Sequence, residues 1–223
     1  MSTIDFPTVS LRLTPDRLKS YLRASSSDLE SAMHLYDWNA SVGSAFHADL
    51  GRLEVVIRNA LDERLVDFAT QRGLGSWYQA TTQLFPGRAS KKAVENITKA
   101  REKATKRFRK PEHHGKVIAE LTFGFWRFMC GTTYQTSLWI PSLAAAFPHH
   151  PSSNPEQIRK DVEARMDGLL FLRNRIAHHE PIHERNLTID QASLLELAGW
   201  VCKPTAEWIG HRSQVTQVLQ QRP

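Results

Sequence analysis

A chain of 223 residues is long for one average domain and short for two; no Gly/Ser-rich or Pro-rich linker divides it, so a single domain over 1–223, with a core over about 28–210, is expected. Only Cys130 and Cys202 are present, the first residues lack the basic start and apolar run of a signal peptide, and no stretch reaches the ~20 apolar residues of a membrane helix. A disulfide framework and a membrane span are therefore excluded, and a soluble protein of the reducing cytoplasm is expected. The net charge of +6 is concentrated: residues 91–110 hold nine Lys/Arg against Glu95 and Glu102, a local +7, while the rest of the chain is near neutral. Such a segment suits a polyanion better than diffuse basicity does.

From Asp28 to Gln71 apolar residues recur at three and four (Leu29, Met33, Tyr36; Leu50, Leu53, Ile57, Leu61, Leu65, Phe68), which predicts amphipathic helix with Gly43 as a candidate point for a bend or break. Ser90 to Lys110 also reads as helix, with Val94, Ile97, Ala104 and Phe108 along one side and Pro111 as its stop. The aromatic run Leu121–Phe128 suits a buried helix or a strand, and helix is preferred because no partner strand is near. A helical turn is predicted between Pro141 and Phe147, then a loop at Pro148-His149-His150-Pro151.

Ser153-Asn154-Pro155-Glu156 combines capping-box spacing with an early proline, a helix start. Ile158, Val162, Met166, Leu169, Leu172 and Ile176 then step along one face, and Pro181 should end that helix near His178 or His179. A last helix or pair covers Asp190–Leu219, interrupted at Pro204. The expected fold class is all-α, a helical bundle without strands.

The last turn of the helix ending near His178 gathers polar residues: Arg173, Asn174, Arg175, His178, His179 and Glu180. Residues four apart lie about 40° apart around a helix, so Asn174 and His178 share a face and can hydrogen-bond. Arg173 lies about 140° from His178 and needs its long side chain, or a site on a second chain, to meet the same phosphate. These residue types suit phosphodiester cleavage. Histidine moves protons near neutral pH, guanidinium holds two phosphate oxygens, and an amide fixes an imidazole. The alternative is a helix-end cap with a solvated Arg and His.

Leu172-Arg173-Asn174-x-x-Ala177-His178-His179 resembles the motif of the Abi-like (abortive infection, AbiD/AbiF) branch of the HEPN superfamily. Leu53-Glu54-Val55-Val56-Ile57-Arg58-Asn59 and Glu120-Leu121-Thr122-Phe123-Gly124-Phe125-Trp126 resemble that family's first-helix and FGxW segments, and together the three cover roughly residues 30–205. The resemblance implies a HEPN-like bundle with additional helices. It also implies a metal-independent endoribonuclease of phage defence, or a toxin, needing no cofactor. RNA is the implied substrate, a two-fold homodimer the implied assembly and an antitoxin a candidate partner.

Carried over, His178 transfers the proton, Arg173 clamps the phosphate and Asn174 orients the imidazole. His179 is auxiliary, able to exchange roles with His178. Glu180 has no counterpart in the catalytic pattern, and its carboxylate would repel RNA or raise a neighbouring histidine. Glu54 and Arg58, four apart, form an ion pair on a helix flank or support Arg173 and the dimer seam. Lys99, Lys103, Lys106, Arg107 and Lys110 are the candidate RNA-binding cations, the alternative being a solvated charged face.

The competing class is a HEPN-fold module that binds RNA or a protein without cutting. His179-Glu180-Pro181-Ile182-His183 matches H-E-x-x-H formally, yet Pro181 stands where a zinc-binding helix must continue. A looser metal site from His178, His179 and His183 has no further ligand pattern behind it, so none is expected. His113-His114 and His149-His150 read as exposed loop pairs, and Trp126, Trp139, Trp200 and Trp208 as core or dimer anchors.

Overall fold

The computed structural model describes residues 4–223, among which every regular element is helical. The chain begins with two helices where the periodicity of the sequence predicts no element. Asp5 caps α1 (Phe6–Leu13) by accepting from the Thr8 N–H at 3.1 Å. Thr14 breaks the path before Pro15 opens α2 (Pro15–Ala24), which buries Leu18 and Tyr21 on the next helix. The buried core therefore starts near residue 18, ahead of the expected 28.

Helix α3 (Leu29–Thr70) is 42 residues long, and Asp28 caps it by accepting from the Ser31 N–H at 2.8 Å. Helix continues unbroken through Gly43. A Cβ at that position would lie 3.9 Å from the Ile176 side chain, so the packing of neighbouring elements compensates for the weak helix propensity of glycine. Leu53, Ile57, Leu61 and Leu65 are fully buried at the spacing the sequence shows.

The middle of the chain is built from short pieces. They are α4 (Thr81–Leu84), α5 (Lys91–Ala104), α6 (His114–Ala119) and α7 (Phe123–Met129), joined by turns and short loops. The aromatic run is helical, and it places Phe123, Phe125 and Trp126 in the core. Trp126 meets Trp77 edge-on at 6.1 Å, and Trp77 anchors itself by donating to Asp62 at 2.7 Å.

The basic helix is shorter than the sequence implies. It ends at Ala104, well ahead of the proline stop at Pro111, and residues 105–110 form turns instead. Buried Thr105 accepts from the Phe108 N–H at 2.9 Å, and Lys106, Arg107 and Phe108 adopt positive φ. Phe108 is consequently 60% exposed and does not join Val94 and Ile97 on the packed side.

A helical turn at Leu143–Ala146 and a following loop match the expectation, but His150 is not an exposed residue. Its side chain is 1% exposed, 3.3 Å from an Asp161 carboxylate oxygen and edge-on to Trp200 at 4.3 Å. His114, at the start of α6, contacts Asp62 at 2.7 Å. Helix α8 (Pro155–Ala177) is capped by Asn154, one residue past the serine of the expected box, through the Glu156 N–H at 2.9 Å.

Three helices complete the chain: α9 (Leu187–Val201), α10 (Lys203–Arg212) and α11 (Val215–Leu219). Extended Cys202 separates the first two, leaving Pro204 in a first helical turn where its missing N–H is tolerated. The architecture is an all-α bundle with α3 as its spine, packed by α2, α7, α8, α9 and α11. Its buried side chains form one cluster from Leu18 to Val215. Among the described residues no helix is long and apolar enough to cross a membrane.

Candidate functional site at the end of helix α8

Ile158, Val162, Met166, Leu169 and Leu172 bury the inner stripe of α8, so the polar residues of its last turn are carried to the surface by a fixed element. The helix stops at two hydrogen bonds: Glu180 N–H donates to Arg175 O at 2.8 Å and His179 N–H to Ile176 O at 3.0 Å. That pair is a Schellman closure, which places its turning residue in the left-handed region and favours glycine there. Here His179 holds the position, at φ +56°.

The turn that follows is held from three helices. Arg175 donates to Pro181 O at 2.6 and 3.0 Å, and Arg17 of α2 donates to His179 O at 2.6 Å. Asn39 of α3 accepts from the Ile182 N–H at 2.7 Å and the His183 N–H at 3.1 Å. A strained backbone persists only where its surroundings over-determine it, and these contacts supply that.

Asn174 and His178 are exposed, and Arg173 is half-buried beside them. The expected side-chain bond from Asn174 to His178 is not formed. Their link is through the backbone, His178 N–H to Asn174 O at 3.0 Å, while the Asn174 side-chain oxygen lies 3.5 Å from Arg173 Nη1. The reason is local: His178 is the cap residue and leaves helical dihedrals, φ −95° and ψ 9°.

Glu180 pairs with Arg175 at 3.6 Å, so its charge is compensated within the turn. Glu54 and Arg58 form no ion pair with each other, and neither bonds Arg173 among the described residues; Arg58 instead donates to Asn59 at 3.3 Å.

A cavity of about 610 Å³ opens beside this turn. One wall is the face of α3 carrying Tyr36, Ala40, Gly43, Ser44 and His47, with Tyr21 of α2 next to it. The other wall is Ile176, Ala177, His179, Glu180 and Ile182. His179, auxiliary in the sequence-based expectation, borders the cavity, whereas Arg173, Asn174 and His178 do not. His47 was not singled out from the sequence. The available signal was its helical spacing from Tyr36, Ala40 and Ser44.

The basic residues occupy another place. Lys99, Lys103, Lys106 and Arg107 surround a shallow hollow of about 310 Å³ shared with Glu102, and Lys110 is exposed on the following turn. Helix α5 packs chiefly on α6, whereas α8 packs on α3, α7 and α9. No hydrogen bond or ion pair joins the two groups among the described residues.

His183 is 1% exposed, bonded to Ser20 through Nε2 at 3.2 Å and tilted against Tyr21 at 4.7 Å. It does not share a helical face with His179, and no group of three or more His, Cys, Asp or Glu among the described residues is placed to hold a metal. Compared with family models, with curated proteins and with solved structures, the chain matches none.

Proposed function

We propose that this chain is a HEPN-type endoribonuclease that cuts RNA without a metal and acts in phage defence or as a toxin. The observation that carries the reading is the placement of Arg173, Asn174 and His178, a guanidinium, an amide and an imidazole, on one solvent-reachable helix end. The resemblance of Leu172–His179 to the Abi-like motif supplies the reaction and the biological role. The RNA 2′-hydroxyl attacks the adjacent phosphorus, the 5′-oxygen leaves, and a 2′,3′-cyclic phosphate remains.

His178 moves a proton in that exchange. Arg173 holds the non-bridging oxygens as charge builds on them. Because Arg173 and His178 diverge by about 140° around the helix, a two-fold dimer supplies the convergence, each phosphate meeting groups of both chains. The α5 cations contribute sequence-independent attraction for the strand, and an antitoxin would act by covering this end of α8.

A second reading, a binding module without nuclease activity, draws on one observation: no side chain among the described residues orients the His178 ring within a single chain. Incubating wild type and His178→Ala with RNA in EDTA separates the two. Cleavage by the wild type that the variant loses, on the order of a hundredfold or more, is expected for the enzyme. RNA left intact by the wild type, or cut equally by both, removes it.

A further inference from the structure

The residues after helix α5 put a large apolar side chain into water. On a helix continued toward Pro111, Phe108 would stand within about 40° of Ile97 and Ala104 and share their packed side. The chain instead leaves the helix after Ala104 and turns Phe108 outward. Its ring is 60% exposed and has no part in the buried cluster, and among the described residues no guanidinium lies over it.

The turn that presents the ring is fastened at both ends by Thr105, which is 1% exposed. The Thr105 hydroxyl donates to Arg101 O at 2.7 Å and accepts from the Phe108 N–H at 2.9 Å, and the Thr105 carbonyl accepts from the Lys110 N–H at 2.9 Å. Lys106, Arg107 and Phe108 take left-handed dihedrals in succession, at φ +49°, +57° and +64°. Each is unfavourable for a residue with a Cβ, and the run persists because these bonds, with that of the Arg107 N–H to Glu102 O, over-determine it. Phe108 therefore stands on a held turn.

Charge flanks the ring on both sides. Lys106, Arg107, Arg109 and Lys110 are exposed, and none of them pairs with a carboxylate among the described residues. Glu112 is bonded to Arg101 and Gln79, and Glu120 lies 3.8 Å from Lys103. Glu102 is the one acid lining the hollow of Lys99, Lys103, Lys106 and Arg107.

An uncovered phenyl ring among unpaired cations fits a chain that carries both phosphates and flat faces. Cations attract the phosphates of any nucleic acid, whereas a ring gains stacking only from a base whose face is free. Bases of a duplex are covered by their neighbours, and those of a single strand can be splayed out. A lipid surface also attracts cations and an aromatic ring, but it is bound through a broad apolar face, and here one ring stands alone between charges.

We infer that the turn after α5 binds single-stranded nucleic acid, with Phe108 stacked on a base and Lys106, Arg107, Arg109 and Lys110 on the flanking phosphates. The inference rests on the nuclease reading for RNA as the natural strand; single-stranded DNA presents the same chemistry. Because α5 packs chiefly on α6 and α8 on other elements, this contact selects and retains the strand and takes no part in cleaving it.

Fluorescence anisotropy tests this with short unstructured oligonucleotides labelled at one end. The probes are a 2′-O-methyl RNA strand, which 2′-hydroxyl attack cannot cleave, the same sequence as DNA, its duplex, and an abasic strand of equal length. Phe108→Ala should weaken binding of both single strands about tenfold, and should leave the duplex, the abasic strand and the salt dependence as in the wild type. Phe108→Trp should bind the single strands at least as tightly as the wild type, and circular dichroism should be unchanged in both variants.

Tighter binding of the 2′-O-methyl strand identifies RNA as the source, tighter binding of DNA identifies DNA, and equal affinity identifies a site indifferent to the sugar; all three support it. No binding of either single strand overturns it, as does wild-type affinity in Phe108→Ala, an equal loss on the abasic strand, or a Phe108→Trp no better than Phe108→Ala. Phosphatidylserine vesicles bound by the wild type and not by Phe108→Ala, with oligonucleotide binding untouched, would assign the turn to a membrane and overturn it as well. A protein that binds strands through Phe108 and cuts no RNA would keep this site and lose the nuclease reading. One that cuts RNA while Phe108→Ala binds normally would do the opposite.

Discussion

His183 carries a pH dependence that follows from its surroundings. Burial pushes its pKa below the ordinary value, outweighing the upward pull of Glu184, and Arg222, Arg23 and Arg175 push in the same downward direction. The unfolded chain therefore binds the proton more readily than the folded one. Stability from this group is complete above the unfolded pKa of about 6.5 and is lost as pH falls from there through the folded value. Urea unfolding should show a lower midpoint at pH 5 than at pH 7, and His183→Gln should flatten that difference. An unchanged slope in the variant would assign the dependence to other groups.

At the same scale, the residue types at the end of α8, a guanidinium, an amide and an imidazole in one helical turn, are legible in the sequence. Their mutual contacts are not. Spacing puts Asn174 and His178 on one face, but whether an amide bonds a ring depends on the dihedrals of a cap residue. Similarly, His150 beside prolines reads as a loop residue, and the proximity of Trp200 and Asp161 that buries it is a tertiary fact.

Among elements, α8 shows how a start and a stop can be read directly. Asn154 caps it, one residue past the Ser153 of the capping-box spacing, and Pro181 lies beyond its end, both local effects of side-chain oxygen and ring geometry. The left-handed residue at its close is a non-glycine, a conformation that costs an L-residue roughly 1–2 kcal/mol. His179→Gly should thus stabilise the fold by up to ~1 kcal/mol, measured by urea unfolding, once the added backbone entropy of glycine is subtracted. A loss of stability would show that the His179 ring contributes more by packing than its backbone costs.

Helix α5 ends early where Thr105 captures a backbone N–H, an option a hydroxyl offers and periodicity does not register. Its exposed cations lead to a separate expectation. Charge reversal at Lys99, Lys103 and Lys106 should weaken RNA binding across all sequences and flatten its dependence on salt, measured by titration at several salt concentrations. Unchanged affinity would remove α5 from the RNA-binding surface.

For the whole molecule, the proposed nuclease is a dimer in which Arg173, about 140° from His178 around an ideal helix, meets the phosphate from the second chain rather than through the reach of its long side chain alone. Sedimentation should give twice the mass of one chain, and a monomer at the concentration where RNA is cut would contradict that geometry. The long α3 and the all-α class followed from periodicity, whereas the aromatic run of α7 suits helix or strand and reads as helix only because no partner strand lies near it in the sequence. The two N-terminal helices did not follow from periodicity, since α1 and α2 are short and only Leu18 and Tyr21 of α2 reach the core.

What the sequence determined by itself was which residues share a helical face and where helices start and stop, because those depend on neighbours within four positions. What only the tertiary structure decided was which faces meet. Tyr21, Asn39, His47 and His179 come from segments up to about 160 residues apart, and no local pattern encodes the cavity they line. Packing against α3 set the end of α8 there, and with it the histidine that faces the cavity.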